Sequence, residues 1–553
     1  MTNKKLRIGL LLDSFTIPAW AYMMLEKILK SDFARIELIV LNDIQKENKS
    51  LLKKIIKNRK KLLYMTYCQF ENKLFKCSPD AFERMDSKVI LSDLPTIKVK
   101  PRKSSYFDFI ENENILKIKN YNIDVFIGLG FNILQGEILH SSKYGIWSYH
   151  HNNDQDIEGE LLGFWEVFQK HLVTETTLQI LSEDFDASVM LCKSYSSTDH
   201  LFVNRNRNKC YWKSLSFLPR KLEELYQFGE EQFFDKVAKY NTPPATSLKR
   251  RYTTPTNVEM IKLLCKHWLQ LFKDFINSGL YLKQWYLLFN LEKDLENEYK
   301  QFKSIIPPKD RYWADPHIVF KDNLYYIFIE EFILKKNKGH ISLLIMDENG
   351  NYKKPITIID KPYHLSYPFI FEWKNDYYMI PESSKNKSIE MYKCINFPDK
   401  WEFFMNLMEN ISAVDTTLYY DQGKWWLFTN IIENDGASRS DELFLFFSDN
   451  PLSHNWKPHP QNPIISDARK ARPAGKIFSQ NGHIYRPSQD CSKTYGYAIK
   501  INQIIKLNDT EYEEMEVDSI KPNWDKNITA IHTFNKENKL TIIDGQMQRS
   551  KYF

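Results

Sequence analysis

The sequence has no CxxC pair. Its seven cysteines (Cys68, Cys77, Cys192, Cys210, Cys265, Cys394 and Cys491) are scattered and odd in number, which argues against both a disulfide framework and a structural zinc site. It has no apolar run of about 18 residues, so no helical membrane span is expected. The opening "MTNKKLRIGLLLDSF" lacks the sustained apolar stretch and small-residue cleavage site of a signal peptide. Charge of one sign is not in excess either: 76 Lys and Arg against 70 Asp and Glu leave +6 over 553 residues. With no RNA-binding signature beside it, that balance gives no expectation of a nucleic-acid partner. These absences together predict a cytoplasmic protein.

What is present is apolar and aromatic mass, 43% and 14% of the residues. That is enough for large cores, and the length calls for at least two domains. One basic stretch stands out, "SLLKKIIKNRKKLLYMTY" at 50–67. It reads as a solvated helix docked on the first domain or, alternatively, as a peripheral contact with anionic lipid.

Two grammars divide the chain. Residues 1–220 alternate short apolar runs with helical patterns: "LRIGLLL", "RIELIVL", "IDVFIGLG" and "GIWSYHH" as strands, "AWAYMMLEKILKS" as a helix. This predicts an α/β domain with a mostly parallel sheet covered on both faces. Ligands of such sheets bind beyond the carboxyl ends of the strands, here at 128–132 and 148–159. Residues 221–303 read as a helical linker region. Within it "NVEMIKLLCKHWLQLFKDFINSG" is apolar at 261, 264, 268, 271, 272 and 275, with Gly279 as a stop signal.

From 304 to 553 the same unit recurs: strand, polar turn, strand. "WADPHIVFKDNLYYIFIEEF", "SYPFIFEWKNDYYMIPESS", "AVDTTLYYDQGKWWLFTN" and "RPAGKIFSQNGHIYRPSQD" are followed by a degenerate copy, "IHTFNKENKLTIIDG". A period of roughly 50 residues fits four-stranded blades about an axis, so five units predict an all-β five-bladed propeller. "QWYLLFN" at 284–290 is a candidate strand to close the ring.

The first 220 residues resemble the catalytic domain of N-formyltransferases that act on methionyl-tRNA or nucleotide-linked amino sugars, a Rossmann-type domain. The motif order carries the resemblance: "WSYHH", then "EGELLGFW", then "LVTETTLQILSEDFDAS". It places His150 at the family's histidine, Asp186 at its acid, Gly159 at its glycine and Trp165 at its tryptophan. Ser148 stands where the family has asparagine and Glu158 where it has arginine. Formyl transfer needs a base for the attacking amine and a donor for the oxyanion. The resemblance therefore implies His150 as base, Asp186 orienting it, and Ser148 or His151 polarising the carbonyl. Asn152, Asp154, Gly159 and Trp165 are the expected substrate contacts, and formyl-tetrahydrofolate is the implied donor. His150 and His151, adjacent on a strand, face opposite ways, so no metal site is expected.

The repeat resembles the five-bladed propellers of glycoside hydrolases. Through "YWADP", "GHIS", "YHLSYPFIFEW", "YYMIPESS", "VDTTLYY" and "ARPAGKIF" it also resembles the N-terminal region of glucosamine inositolphosphorylceramide transferases. The hydrolase resemblance puts a base at Asp315 and a modulating acid at Asp415, but the proton-donor position falls on Arg472. Arginine donates no proton at neutral pH, so two-carboxylate hydrolysis is not expected. The expected funnel comprises Asp315, Tyr367, Asp415, Arg472 and His532, with Glu331, Glu382, Gln489 and Asp490 after the second strands. Carboxylates, rings and an arginine together suit a sugar nucleotide or glycan. Three readings remain open: an enzyme of surface-polysaccharide or glycolipid synthesis moving a formyl or related acyl group to an amino sugar; a glycan-binding protein with an inactive first domain; or a transferase, lyase or hydrolase centred on the propeller.

Overall fold

The computed structural model describes residues 4–44, 58–74, 76–104, 107–150, 163–184, 188–241, 253–292 and 301–552. The chain forms two compact units, Met1–Leu271 with Asn434–Ser438, and Phe272–Glu433 with Arg439–Phe553. The region read as a linker is therefore no separate body; it divides at 271/272.

The first unit is built on one mixed seven-stranded sheet: β1 (Leu6–Leu12), β2 (Ala34–Asn42), β3 (Thr96–Val99), β4 (Val125–Gly128), β5 (Ile146–His150), β6 (Val173–Ile180) and β7 (Val189–Ser197). Their order is β7-β6-β5-β4-β1-β2-β3. β1 to β5 run parallel, β6 pairs antiparallel with β5, and β7 pairs antiparallel with β6. Ile8, Leu10 and Leu11 of β1 are fully buried, as unbroken apolar strands covered on both faces must be. The strand order reverses between β1 and β4, where open α/β sheets bind ligands. There Asp13 Oδ1 accepts the Phe131 N–H at 2.9 Å and Asn42 Nδ2 at 2.8 Å.

The helix Asn257–Leu280 does not bury the face that its sequence suggests. Met260 and His267 are buried, and Leu263 and Leu264 pack with Tyr64, Phe164 and Val203. Ile261, Trp268, Phe272 and Phe275 are exposed.

The second unit is a five-bladed propeller. Blade one is Arg311–Lys321, Leu324–Ile333, Lys338–Asp347 and Ile356–Ile359; blade two is Ser366–Trp373, Asp376–Glu382, Ser388–Asn396 and Lys400–Glu409. Blade three begins with Ala413–Asp421 and Lys424–Ile431, and blade four with Phe478–Gln480 and His483–Asp490. The tight turns explain the repeat. Asp322–Asn323, Lys374–Asn375, Gln422–Gly423 and Asn481–Gly482 all have positive φ at both residues, the backbone whose twist matches a two-residue hairpin.

Blade five is assembled from both ends of the unit. Leu540–Ser550 pairs antiparallel with Tyr281–Asn290 from Tyr281↔Ser550 to Asn290↔Thr541. Tyr281–Asn290 in turn pairs with Lys303–Ile305. Leu287, Leu540 and Ile542 are fully buried in the resulting core.

Candidate functional site

The propeller axis is built from one backbone device used three times. In blades one, two and three the innermost strand slips register after Ala314, Ser366 and Val414. The next residue, Asp315, Tyr367 or Asp415, has φ of 52°, 42° or 52°. A bulge of this kind re-aims a side chain, and a non-glycine residue in left-handed backbone costs about 1–3 kcal/mol unless its surroundings hold it.

The surroundings do hold these three. Asp315 N–H donates to Asp544 Oδ2 at 2.9 Å; its own Oδ2 accepts the Tyr367 N–H at 3.2 Å and its Oδ1 accepts Thr533 Oγ1 at 2.9 Å. The Tyr367 hydroxyl accepts the Gly475 N–H at 2.8 Å and shares a hydrogen bond with Thr417 Oγ1, also at 2.8 Å. Asp415 accepts Arg472 Nε at 2.6 Å and Nη2 at 3.1 Å, with Gln489 Nε2 at 2.9 Å. Arg472 Nη2 also reaches Glu382 Oε2 at 3.5 Å.

The charges are arranged in two groups. In the first, His532 Nε2 lies 3.1 Å from Asp315 Oδ1 and its Nδ1 lies 2.9 Å from Asp544 Oδ1. Burial pulls the imidazole down, but the two carboxylates hold it protonated, well above its ordinary range. Against the upward push of burial, His532 and Thr533 bring Asp315 down to about 2. Ligand atoms of Asp315, His532 and Asp544 lie within 4.8 Å of one another, a spacing a metal ion could use. The Asp544 oxygens already accept the N–H groups of Asp315, His532 and Thr533, and His532 lies between the two carboxylates.

In the second group one guanidinium faces two carboxylates, Asp415 and Glu382. Asp415 and Glu382 hold Arg472 protonated despite its burial, while burial pushes Asp415 up, to about 8, against the guanidinium's pull. Nearby, burial and then the Asp315 charge push Glu330 well above the usual carboxylate range. His364 Nδ1 accepts the Gly339 N–H at 2.9 Å, so the proton sits on Nε2, which points at Glu330 Oε1, 3.5 Å away. Over the buried groups lies the half-exposed ring of Tyr495. It is 4.9 Å from the Arg472 guanidinium carbon and 5.4 Å from the His532 ring.

Of the residues expected in the funnel, Asp315, Tyr367, Glu382, Asp415, Arg472, Gln489 and His532 join this network. Glu331 does not: it lies within blade one, accepting from Arg311, Trp313, His340 and Ser342. Those donors bring it to about 2 against burial. Asp490 turns to its own loop and accepts from the Ser492 N–H and hydroxyl. Glu330, Asp544 and Tyr495 belong to the network and were not expected. The adjacent acids of "IEEF" offered both strand faces, and Asp544 sits in the degenerate fifth copy.

In the first unit, His151, Asn152, Asp154, Glu158, Gly159 and Asp186 lie outside the described residues, as does the His150 side chain. Ser148 lies in the middle of the strand Ile146–His150, paired with Gly128 and Gln179. Trp165 is half-buried, edge-on to Phe164 at 5.3 Å.

Residues 304–547 match the family described as glucosamine inositolphosphorylceramide transferase 1, N-terminal. Glucosamine inositolphosphorylceramide transferase 1 of Oryza sativa subsp. japonica is 34% identical over 207 residues, 37% of this chain and 28% of that protein. Its counterpart in Arabidopsis thaliana is 33% identical over 207 residues, 37% of this chain and 27% of that one. The match thus spans less than a third of those relatives. Among solved structures, the family 117 glycoside hydrolase Zg3597 of Zobellia galactanivorans covers 48% of this chain and 90% of its own at 11% identity, with a TM-score of 0.33. The catalytic domain of a Coprinopsis cinerea GH62 alpha-L-arabinofuranosidase covers 45% and 95% at 11% identity, also with a TM-score of 0.33. Over its propeller, the chain is similar to the N-terminal region of glucosamine inositolphosphorylceramide transferase 1.

Proposed function

We propose that the chain acts in glycolipid or surface-polysaccharide assembly as a sugar transferase, and that the propeller axis holds the sugar. The observation that carries this reading is the buried trio of Arg472, Asp415 and Glu382 beside an ionised Asp315 and a protonated Glu330. Carboxylates accept hydrogen bonds from sugar hydroxyls, and the Tyr495 ring offers a face to the apolar side of a pyranose. In this reading Asp315 receives the proton of an acceptor hydroxyl.

Arg472 decides between transfer and hydrolysis. A glycoside's leaving alkoxide needs a proton, which a guanidinium cannot give. A leaving phosphate carries its own charge and is stabilised by a cation. The resemblance to a glycolipid-synthesising family points the same way. Formyl transfer is not carried into this reading, because the His150 side chain, His151 and Asp186 lie outside the described residues.

The test is incubation of the full chain with radiolabelled sugar nucleotides and lipids bearing an inositol phosphate head group. The expected result is a labelled glycolipid, with product formation falling by on the order of 10²-fold or more in Arg472→Gln, the scale of one lost transition-state contact. Transfer that survives unchanged in Arg472→Gln and Asp315→Asn would move the active centre away from the axis. Absence of any labelled product would overturn the transferase assignment.

A further inference from the structure

The helix Asn257–Leu280 carries an apolar face left open to solvent. Val258, Ile261, Trp268, Leu269, Phe272 and Phe275 are 52–75% exposed. At 100° per residue they fall within an arc of about 120°, and the packed residues Met260 and His267 lie on the other side. Lys262, Lys266 and Lys273 follow one edge of the stripe; of the helix's two acids, Glu259 borders that row on the side away from the apolar residues and Asp274 lies farther round. At the carboxyl end Lys551 adds a fourth cation, its Nζ donating to Ser278 O at 2.6 Å.

A helix of 24 residues is about 36 Å long, long enough to cross a bilayer. Yet no helix among the described residues is apolar enough to do so. An amphipathic helix with aromatic residues on one face and lysines along its edge lies instead in the plane of a membrane interface. We infer that this face seats the protein on an anionic lipid surface, with Trp268, Phe272 and Phe275 at the acyl boundary and the lysines among the phosphates. Charge complementarity selects the lipid. Pairing with a second copy needs only a narrow seam of aliphatic side chains. This stripe is broader, through Leu269, Ile276 and Leu280, and its centre is aromatic. The inference requires no sugar substrate and stands or falls apart from the transferase reading.

The test is flotation of the full chain with vesicles of phosphatidylcholine alone and of phosphatidylcholine with phosphatidylglycerol. The protein should float with the anionic vesicles and less so in high salt. Lys262→Gln/Lys266→Gln/Lys273→Gln should weaken partitioning by roughly fivefold per lysine. Trp268→Ser/Phe272→Ser/Phe275→Ser should abolish it while leaving the thermal midpoint in place. Independently of any variant, an environment-sensitive fluorophore on the exposed Cys265 should shift to the blue on those vesicles. Wild-type protein that stays unbound, or a triple serine variant that floats equally well, would overturn the inference. So would a dimer that the triple serine variant converts to monomer in the absence of any vesicle binding, which would assign the face to a second copy.

Discussion

Arg472 grips Asp415 with two hydrogen bonds, 2.6 Å from Nε and 3.1 Å from Nη2, and both side chains are buried. Removing one partner of such a pair leaves an uncompensated charge and costs about 3–5 kcal/mol. Arg472→Met should lower the urea-derived unfolding free energy of the propeller by that amount. The double variant Arg472→Met/Asp415→Asn should recover part of the loss, because it also removes the stranded carboxylate.

His532 bridges Asp315 and Asp544, and His532 and Asp315 are shifted in opposite senses. The raised His532 contributes stability that is fully present below the ordinary histidine value of ~6.5 and is lost as pH climbs through the folded value. The lowered Asp315 contributes stability present above its ordinary 3.8 and lost as pH falls toward about 2. Unfolding free energy measured against pH should therefore decline on the alkaline side in wild type, by up to ~1.4 kcal/mol per pH unit for each proton. That decline should be shallower in His532→Gln, which is also less stable at neutral pH.

Glu330 is the converse case. Its folded value is raised, so above about pH 4.5 the unfolded chain sheds a proton that the folded chain keeps, and stability falls with rising pH. Glu330→Gln mimics the protonated form. It should unfold at equal or higher denaturant at pH 7 than wild type, with a flatter pH profile.

Ring closure depends on a strand distant in sequence from the blade it completes. Leu287 is fully buried against Ile305, Leu540 and Ile542. Leu287→Ala should cost about 2–5 kcal/mol. If the closed ring unfolds as a unit, fluorescence and circular dichroism should report a single shifted transition.

The propeller was legible in the sequence because each blade repeats a hairpin whose turn chemistry is written in adjacent residues such as Asp322–Asn323 and Gln422–Gly423. The axis was legible at Asp315, Tyr367 and Asp415 because the bulge recurs at a constant offset from paired aromatics. Choosing between Glu330 and Glu331 required the register of the second strand against that bulge, which two adjacent acids leave ambiguous. Tyr495 lies in the loop between the second and third strands of blade four, a connection whose length and sequence differ from blade to blade. The helix at 257–280 was legible as amphipathic, but periodicity gives a stripe and not its partner. Only the structure places Met260 and His267 inward and Trp268 outward.

The central claim, that the propeller axis holds a sugar, is tested most directly by saturation-transfer NMR of the full chain with methyl glucosaminide and inositol phosphate. The expected result is transfer to the ring protons, with affinity weakened roughly tenfold in Tyr495→Ala, the loss expected for one stacking ring, and abolished in Asp415→Asn. Saturation transfer that is absent in wild type, or that persists unchanged in both variants, would contradict it.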